Sequence, residues 1–161
     1  MTTFSHASYP TLIFIAAETL ISSQYSLQDL LILIFFSIFP DLDFIFYKFI
    51  KKGSFNSNFQ HHKWLTHWPI IYSPLLIALA FFPSFKLLLI TYGIYSHLIM
   101  DTFLAGDGIM WLYPFSKKFF NLFAEKTTNN HGKDWFNIYK KMLIYKIDIL
   151  AFVIVLLVIL A

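Results

Sequence analysis

No cysteine occurs in the 161 residues, which excludes disulfides and thiolate metal sites together. Any transition-metal centre here must be built from imidazole, carboxylate and water. That donor set suits zinc, manganese or iron rather than copper(I) or iron–sulfur chemistry. Arginine is also absent, and all 12 basic side chains are lysine. With Ile, Phe, Asn and Lys all abundant, this reads as AT-rich codon usage. Charge of either sign is scarce, at 13% of residues against about a quarter in a soluble domain. The formal net charge of +3 gives no ground for nucleic acid as a specific partner. No lysine-rich leader precedes the first apolar run and no small-residue cleavage site stands out, so no signal peptide is expected. Repeats, low-complexity tracts and linkers are missing too, and 1–161 reads as a single integral membrane domain.

What is present is apolar mass. Hydrophobic residues make up 58% of the chain and the mean hydropathy is +0.64. They come in long blocks without the polar face that a soluble helix shows at every turn. Five segments can be drawn, at about 9–21, 27–39, 68–82, 85–104 and 143–160. A perpendicular span needs ~20 residues; the last two segments meet that and the first three are short. The expected fold is all-α, a polytopic membrane bundle of about four to five apolar helices in two hairpins plus a C-terminal transmembrane helix. Connections 40–67 and 105–142 then share one side. Lys48, Lys51, Lys52 and Lys63 lie in the first and Lys117, Lys118, Lys126, Lys133, Lys140 and Lys141 in the second, whereas Lys86 alone lies in an opposite turn. Lysine excess marks the cytoplasmic side, which places both connections there. The stretch 115–137 reads as an interfacial helix and a loop.

Ionisable residues gather at that proposed face. His6 precedes the first segment, and Pro40-Asp41-Leu42-Asp43 ends the second. His61, His62 and His67 precede the third, and His97 and Asp101 lie near the end of the fourth. The topology alone brings these together. His97 and Asp101, four apart on a helix, share a face and can grip one ion; the bland alternative is a histidine–aspartate hydrogen bond between helices. Asp41 and Asp43 repel unless separated or neutralised, which a divalent cation does well; solvated aspartates in a turn are the alternative. In His62-Lys63-Trp64-Leu65-Thr66-His67 the imidazoles are five apart, which is not one helical face. A turn or distorted helix start is expected there, with Thr66 as a supporting or capping donor. Seven groups, His6, Asp41, Asp43, His62, His67, His97 and Asp101, suffice for one or two divalent ions, with zinc as first choice and manganese or iron as alternatives. A spare aspartate could serve as general base. Glu18 reads as a bundle-facing or interfacial residue, Asp29 and Asp148 near segment ends as snorkelling to the interface, Asp107-Gly108 as a turn, His131 as a loop residue and His61 as a neighbour of the site.

Taken in order, His6, Pro40-Asp41-Leu42-Asp43, His62-Lys63-Trp64-Leu65-Thr66-His67 and His97-Leu98-Ile99-Met100-Asp101 resemble the motifs of the YdjM-like family. These proteins are described as inner-membrane-associated metal-dependent hydrolases, some under LexA control. The family's glycine-rich turn and Trp-x-Pro-Phe element look like Gly106-Asp107-Gly108-Ile109-Met110-Trp111-Leu112-Tyr113-Pro114-Phe115. The resemblance covers about 1–118. Lys63 stands where the family usually has arginine, which loses a bidentate fork, and Trp68 replaces a serine. The family is similar to zinc-dependent phospholipases C and single-strand-specific zinc nucleases, all-helical enzymes with His/Asp metal clusters. The resemblance therefore implies phosphoester hydrolysis by a metal-activated water at the cytoplasmic face of the bacterial inner membrane. The phosphoester would be lipid or nucleotide-like, a small or lipid-like substrate, and membrane lipids would be the partners. His62, His67, His97 and Asp101 are the first-choice ligands, Asp41 the next, and Asp43 and His6 further ligands or base. Asp43 and Lys63 are the catalytic candidates, Lys63 neutralising developing negative charge. The competing expectation is a non-enzymatic membrane scaffold or partner-binding protein clamped by the same metal.

Overall fold

A computed structural model describes residues 2–21, 24–43, 46, 61–104, 108–122, 140–141 and 143–160. His131, Asp107 and several of the connection lysines lie outside them. The described residues are all-helical, with no strand beyond a single bridge between Ile109 and Phe120. Among the described residues five α-helices are seen: α1 (Thr3–Leu20), α2 (Leu27–Ile38), α3 (Ser73–Phe81), α4 (Phe85–Leu104) and α5 (Leu143–Leu160).

Local chemistry sets most of the helix starts. The Thr2 hydroxyl caps α1 by accepting from the Ser5 N–H. Ser26 and Asp29 form a reciprocal capping box on α2, which satisfies two otherwise orphaned donors. The Ser84 hydroxyl accepts from the Leu87 N–H at the start of α4. α2 gives way to a 3-10 turn, Phe39–Leu42, that carries Pro40 in its first turn.

Three segments depart from the sequence expectation. The first helix begins at Thr3 rather than near Tyr9, so His6 sits inside α1 instead of ahead of it. Ser8 and Thr11 do not break the helix because their hydroxyls donate back to the Phe4 and Ala7 carbonyls, both at 2.7 Å. The third segment is not one helix: a 3-10 turn, Pro69–Tyr72, precedes the nine-residue α3. Pro69 and Pro74 both lack the N–H that a continuous ladder would need. The residues 115–122 of the expected interfacial helix are not helical; that segment folds back so that Ile109 and Phe120 exchange two backbone hydrogen bonds of 3.0 and 2.9 Å.

The tightest packing joins α2 and α4 at Gly93. A Cβ there would stand 3.0 Å from the Ser37 nitrogen and 3.1 Å from the Leu33 oxygen and the Phe36 carbonyl carbon. Leu33, Leu30, Leu89 and Phe14 form one buried cluster, and Tyr72, Ile94, Leu98 and Ile109 form a second. α1 lies between α2 and α5. The α1–α5 contact carries a buried polar pair, in which the Tyr9 hydroxyl donates to Asp148 at 2.7 Å, and an aromatic pair of Phe4 and Phe152. Asp148 is therefore an interior residue, not a snorkelling one. Along the described helices large apolar side chains face outward, among them Ile13, Leu31, Ile77, Leu88 and Leu150, whereas Ser5, Ser8, Thr11, Ser37, Thr91 and Thr102 are buried.

Candidate metal centre

Four chain segments deliver the ionisable groups to one end of the helices. α1 brings His6 in its first turns, the 3-10 turn after α2 brings Asp41, two short 3-10 turns (His61–Lys63 and Leu65–His67) bring His62 and His67, and the last turns of α4 bring His97 and Asp101. The alternation of chain direction explains the convergence: the start of α1 and the ends of α2 and α4 meet there.

The six side chains fall into two interpenetrating sets, His6, Asp41 and His97, and His62, His67 and Asp101, with the ligand atoms of each set within 4.8 Å of one another. Asp101 stands between them. Its Oδ1 lies 3.1 Å from His6 Nε2, and its Oδ2 lies 3.2 Å from His97 Nε2, 3.4 Å from His62 Nε2 and 3.9 Å from His67 Nε2. Asp41 Oδ1 sits 3.6 Å from His97 Nε2 and 3.8 Å from His67 Nε2. The histidines and Asp101 are buried, and Asp41 is the most accessible of the six at 10% of its side chain.

The outer nitrogens decide what the inner ones are. His97 Nδ1 is 2.7 Å from the Ser37 carbonyl, which can only accept, so the proton is on Nδ1. His67 Nδ1 is 3.4 Å from Asp43 Oδ2 and 3.2 Å from the Thr66 hydroxyl, and that hydroxyl donates to the same Asp43 oxygen. Nδ1 of His67 is thus the donor of that triangle. In the neutral rings both Nε2 atoms are then bare lone pairs, yet they face each other at 3.3 Å with carboxylate oxygens around them. Such a convergence of acceptors is repulsive without a proton or a cation in its midst. The spacing fits a cation: two ligands about 2.0–2.1 Å from a tetrahedral zinc lie roughly 3.3 Å apart. The donor set, nitrogen and oxygen only, admits zinc, manganese or iron.

Electrostatics at the two groups on the connecting turns agree with this. Burial, reinforced by the neighbouring His62 and His97, holds His67 well below the usual histidine range, which keeps its lone pair available. Burial pushes Asp41 up, and positive charge on the His97, His6 and His67 side outweighs it to leave the carboxyl below its ordinary value; with neutral rings that charge is the part a bound cation would supply.

The other sequence candidates are placed differently. Asp43 lies behind His67, on its outer nitrogen, and outside both sets. The 3-10 turn separates the two aspartates to opposite edges of one imidazole. Lys63 is exposed on its turn, where its carbonyl accepts from Trp68 Nε1 at 3.2 Å. Trp68 also lies against Tyr113, the rings tilted with centroids 4.0 Å apart. Three contributors escaped the sequence reading. The Thr3 hydroxyl donates to Asp41 Oδ2 at 2.9 Å, the Ser37 carbonyl orients His97, and Gly93 lets that carbonyl come close. Thr3 carried a signal, being three residues ahead of His6 on the same helical face; a backbone carbonyl carries none.

The family model for the YdjM inner membrane protein matches residues 1–161, the whole chain. Comparison with curated proteins and with solved structures gives no significant match.

Proposed function

The chain belongs to the YdjM inner membrane protein family, and from that premise we propose that it is a multi-pass, metal-dependent hydrolase acting on a phosphoester at the cytoplasmic membrane face. The observation that carries the metal is the pair of bare imidazole nitrogens ringed by carboxylates. Among the described helices α5 is long and apolar enough to cross a membrane, and only 17% of it is buried. The 18 residues of α1 and 20 of α4 correspond to about 27–30 Å, close to the ~30 Å hydrocarbon core. Apolar side chains outside and hydroxyls inside suit a lipid surround. The lysine asymmetry supports the cytoplasmic placement of the site.

His6, His62, His67, His97, Asp41 and Asp101 would hold one or two divalent ions, zinc first. Such an ion supplies Lewis acidity toward a phosphoester oxygen and toward water. The chain's own part is positional. Ser37 and Asp43 fix two imidazoles with their Nε2 atoms inward, and the Thr3 hydroxyl holds one oxygen of Asp41. Asp41, the most accessible ligand, marks the side from which an ester approaches and is the carboxylate best placed to take a proton there. Lys63, at the rim, balances negative charge on a bound phosphoester.

The depth of the site favours one other reading. With His67 and His97 fully buried and ligands drawn from four segments, the same metal would also clamp the helices of a non-enzymatic scaffold. The deciding experiment is metal analysis of the detergent-purified protein beside a His97→Ala/Asp101→Ala variant, followed by a phosphoester and lipid-ester screen. One or two equivalents of metal, lost in the variant together with turnover, supports the hydrolase. Metal whose chelation collapses thermal stability, with no turnover on any ester, supports the clamp. Absence of metal even when it is offered refutes both.

A further inference from the structure

Residues 108–122 form a tongue that leaves the end of α4 and returns to it. Gly108 has φ +72 and lies so close to the Phe120 carbonyl that no side chain would fit. The Ile109–Phe120 bridge closes the base, the Leu122 N–H donates to the Thr102 carbonyl at 3.0 Å, and Trp111 Nε1 donates to the Thr102 hydroxyl at 2.7 Å. Thr102 is the neighbour of Asp101, so the tongue is rooted beside the metal centre. The Trp68–Tyr113 ring contact ties its side to the turn that carries His67.

A segment so firmly held would be expected to bury its large side chains, and at the base it does: Ile109 and Met110 are buried. The tip does the reverse. Phe115 is 87% exposed and Leu112 is 54% exposed, and Pro114 between them is exposed as well. Lys117 and Lys118 follow directly, both exposed, with the Lys118 ammonium over the Phe120 ring. No aspartate or glutamate occurs between 108 and 122. The tip is thus an apolar wedge collared by cations, on a tongue rooted beside the metal centre.

We propose that this tip is a membrane wedge, with Leu112, Pro114 and Phe115 seated among the acyl chains of the cytoplasmic leaflet and Lys117 and Lys118 on anionic lipid headgroups. The lipid surface is the partner that fits both halves of the pattern: the apolar residues need a non-aqueous surround, and lysines at the rim snorkel to phosphates. Because the tongue is braced at both Thr102 and Trp68, the wedge sets the height of the metal centre against the bilayer surface. The inference rests on the membrane-spanning reading above, and its test separates the two.

The absence of native cysteine makes site-directed nitroxide labelling clean. Phe115→Cys and, as a reference on the lipid face of α5, Leu150→Cys are each labelled and reconstituted in nanodiscs. One set contains zwitterionic lipid alone and the other includes anionic lipid. Accessibility of the label to oxygen and to a water-soluble nickel chelate is read by power saturation. With Leu150 in lipid, the expected result is an oxygen-to-nickel ratio at Phe115 several-fold above that of free nitroxide in water. That ratio should rise with anionic lipid and lose the rise when Lys117→Gln and Lys118→Gln are added. A water-like ratio at Phe115 in both lipids, with Leu150 in lipid, overturns the wedge. Insertion that ignores lipid charge overturns the role of the lysines. A water-like ratio at Leu150 overturns the spanning reading itself.

Discussion

Replacing Gly93 by alanine tests whether the α2–α4 contact or helix propensity governs this bundle. In an isolated helix alanine is better than glycine by about 1 kcal/mol. Here the new methyl would meet three backbone atoms of α2 at 3.0–3.1 Å, where carbon contacts are comfortable only near ~3.5–4.0 Å. Backbone cannot swing aside as a flexible side chain would, so the helices must part by roughly half an ångström. Overpacking of this kind costs about 1–3 kcal/mol, so the net effect is destabilising by up to about 2 kcal/mol, opposite in sign to propensity. The parting also reaches the site. His97 is one turn beyond Gly93, and the 2.7 Å hydrogen bond from its Nδ1 ends on Ser37, the residue the methyl pushes. Stretching that bond loosens the ring, and loss of such an outer partner typically costs ~10–100-fold in metal affinity. Thermal unfolding in detergent, with and without chelator, reads the first effect, and competition with a chromophoric chelator reads the second. A variant that melts higher than the parent and holds metal as tightly would refute the reasoning.

Two further substitutions separate the metal centre from the α1–α5 contact. Asp43→Asn keeps the shape but weakens the acceptor behind His67, so metal affinity should fall by ~10–100-fold while membrane insertion is unchanged; unaltered affinity in the chelator competition would remove Asp43 from the site. Tyr9→Phe deletes the hydroxyl that donates to buried Asp148. The expected cost is about 1–3 kcal/mol, seen as a lower melting temperature with metal content intact, and equal melting would show that the α1–α5 pair contributes nothing.

Much of the fold was legible because the signal is local. The run 85–104 and the run 143–160 are helices over those residues, since blocks of apolar residues without turn formers leave the chain few alternatives. The misreadings have equally local causes. The apolar run begins near Tyr9, yet the helix begins at Thr3, because hydroxyls such as those of Ser8 and Thr11, which bond their own helix carbonyls, are at home inside a helix. Prolines 69 and 74 shorten the third segment. The segment 115–122 has the composition of an interfacial helix but is held as a hydrogen-bonded tongue, because Gly108 allows a close return that no hydropathy pattern announces.

By itself the sequence determined the chemistry available: no thiolate, no arginine fork, and imidazoles and carboxylates distributed so that alternating helices must bring them to one end. Residue type and spacing carry that, because which groups can ligate is a property of side chains and which end they occupy is a property of chain direction. The tertiary structure decided everything that depends on a partner distant in sequence. It turned Asp43 to the outer nitrogen of His67, set Asp101 between two groups of histidines, and brought the Ser37 carbonyl to His97 across a glycine gap. Those outcomes are fixed by contacts across tens of residues and by single backbone atoms, so they exist only once the helices have packed.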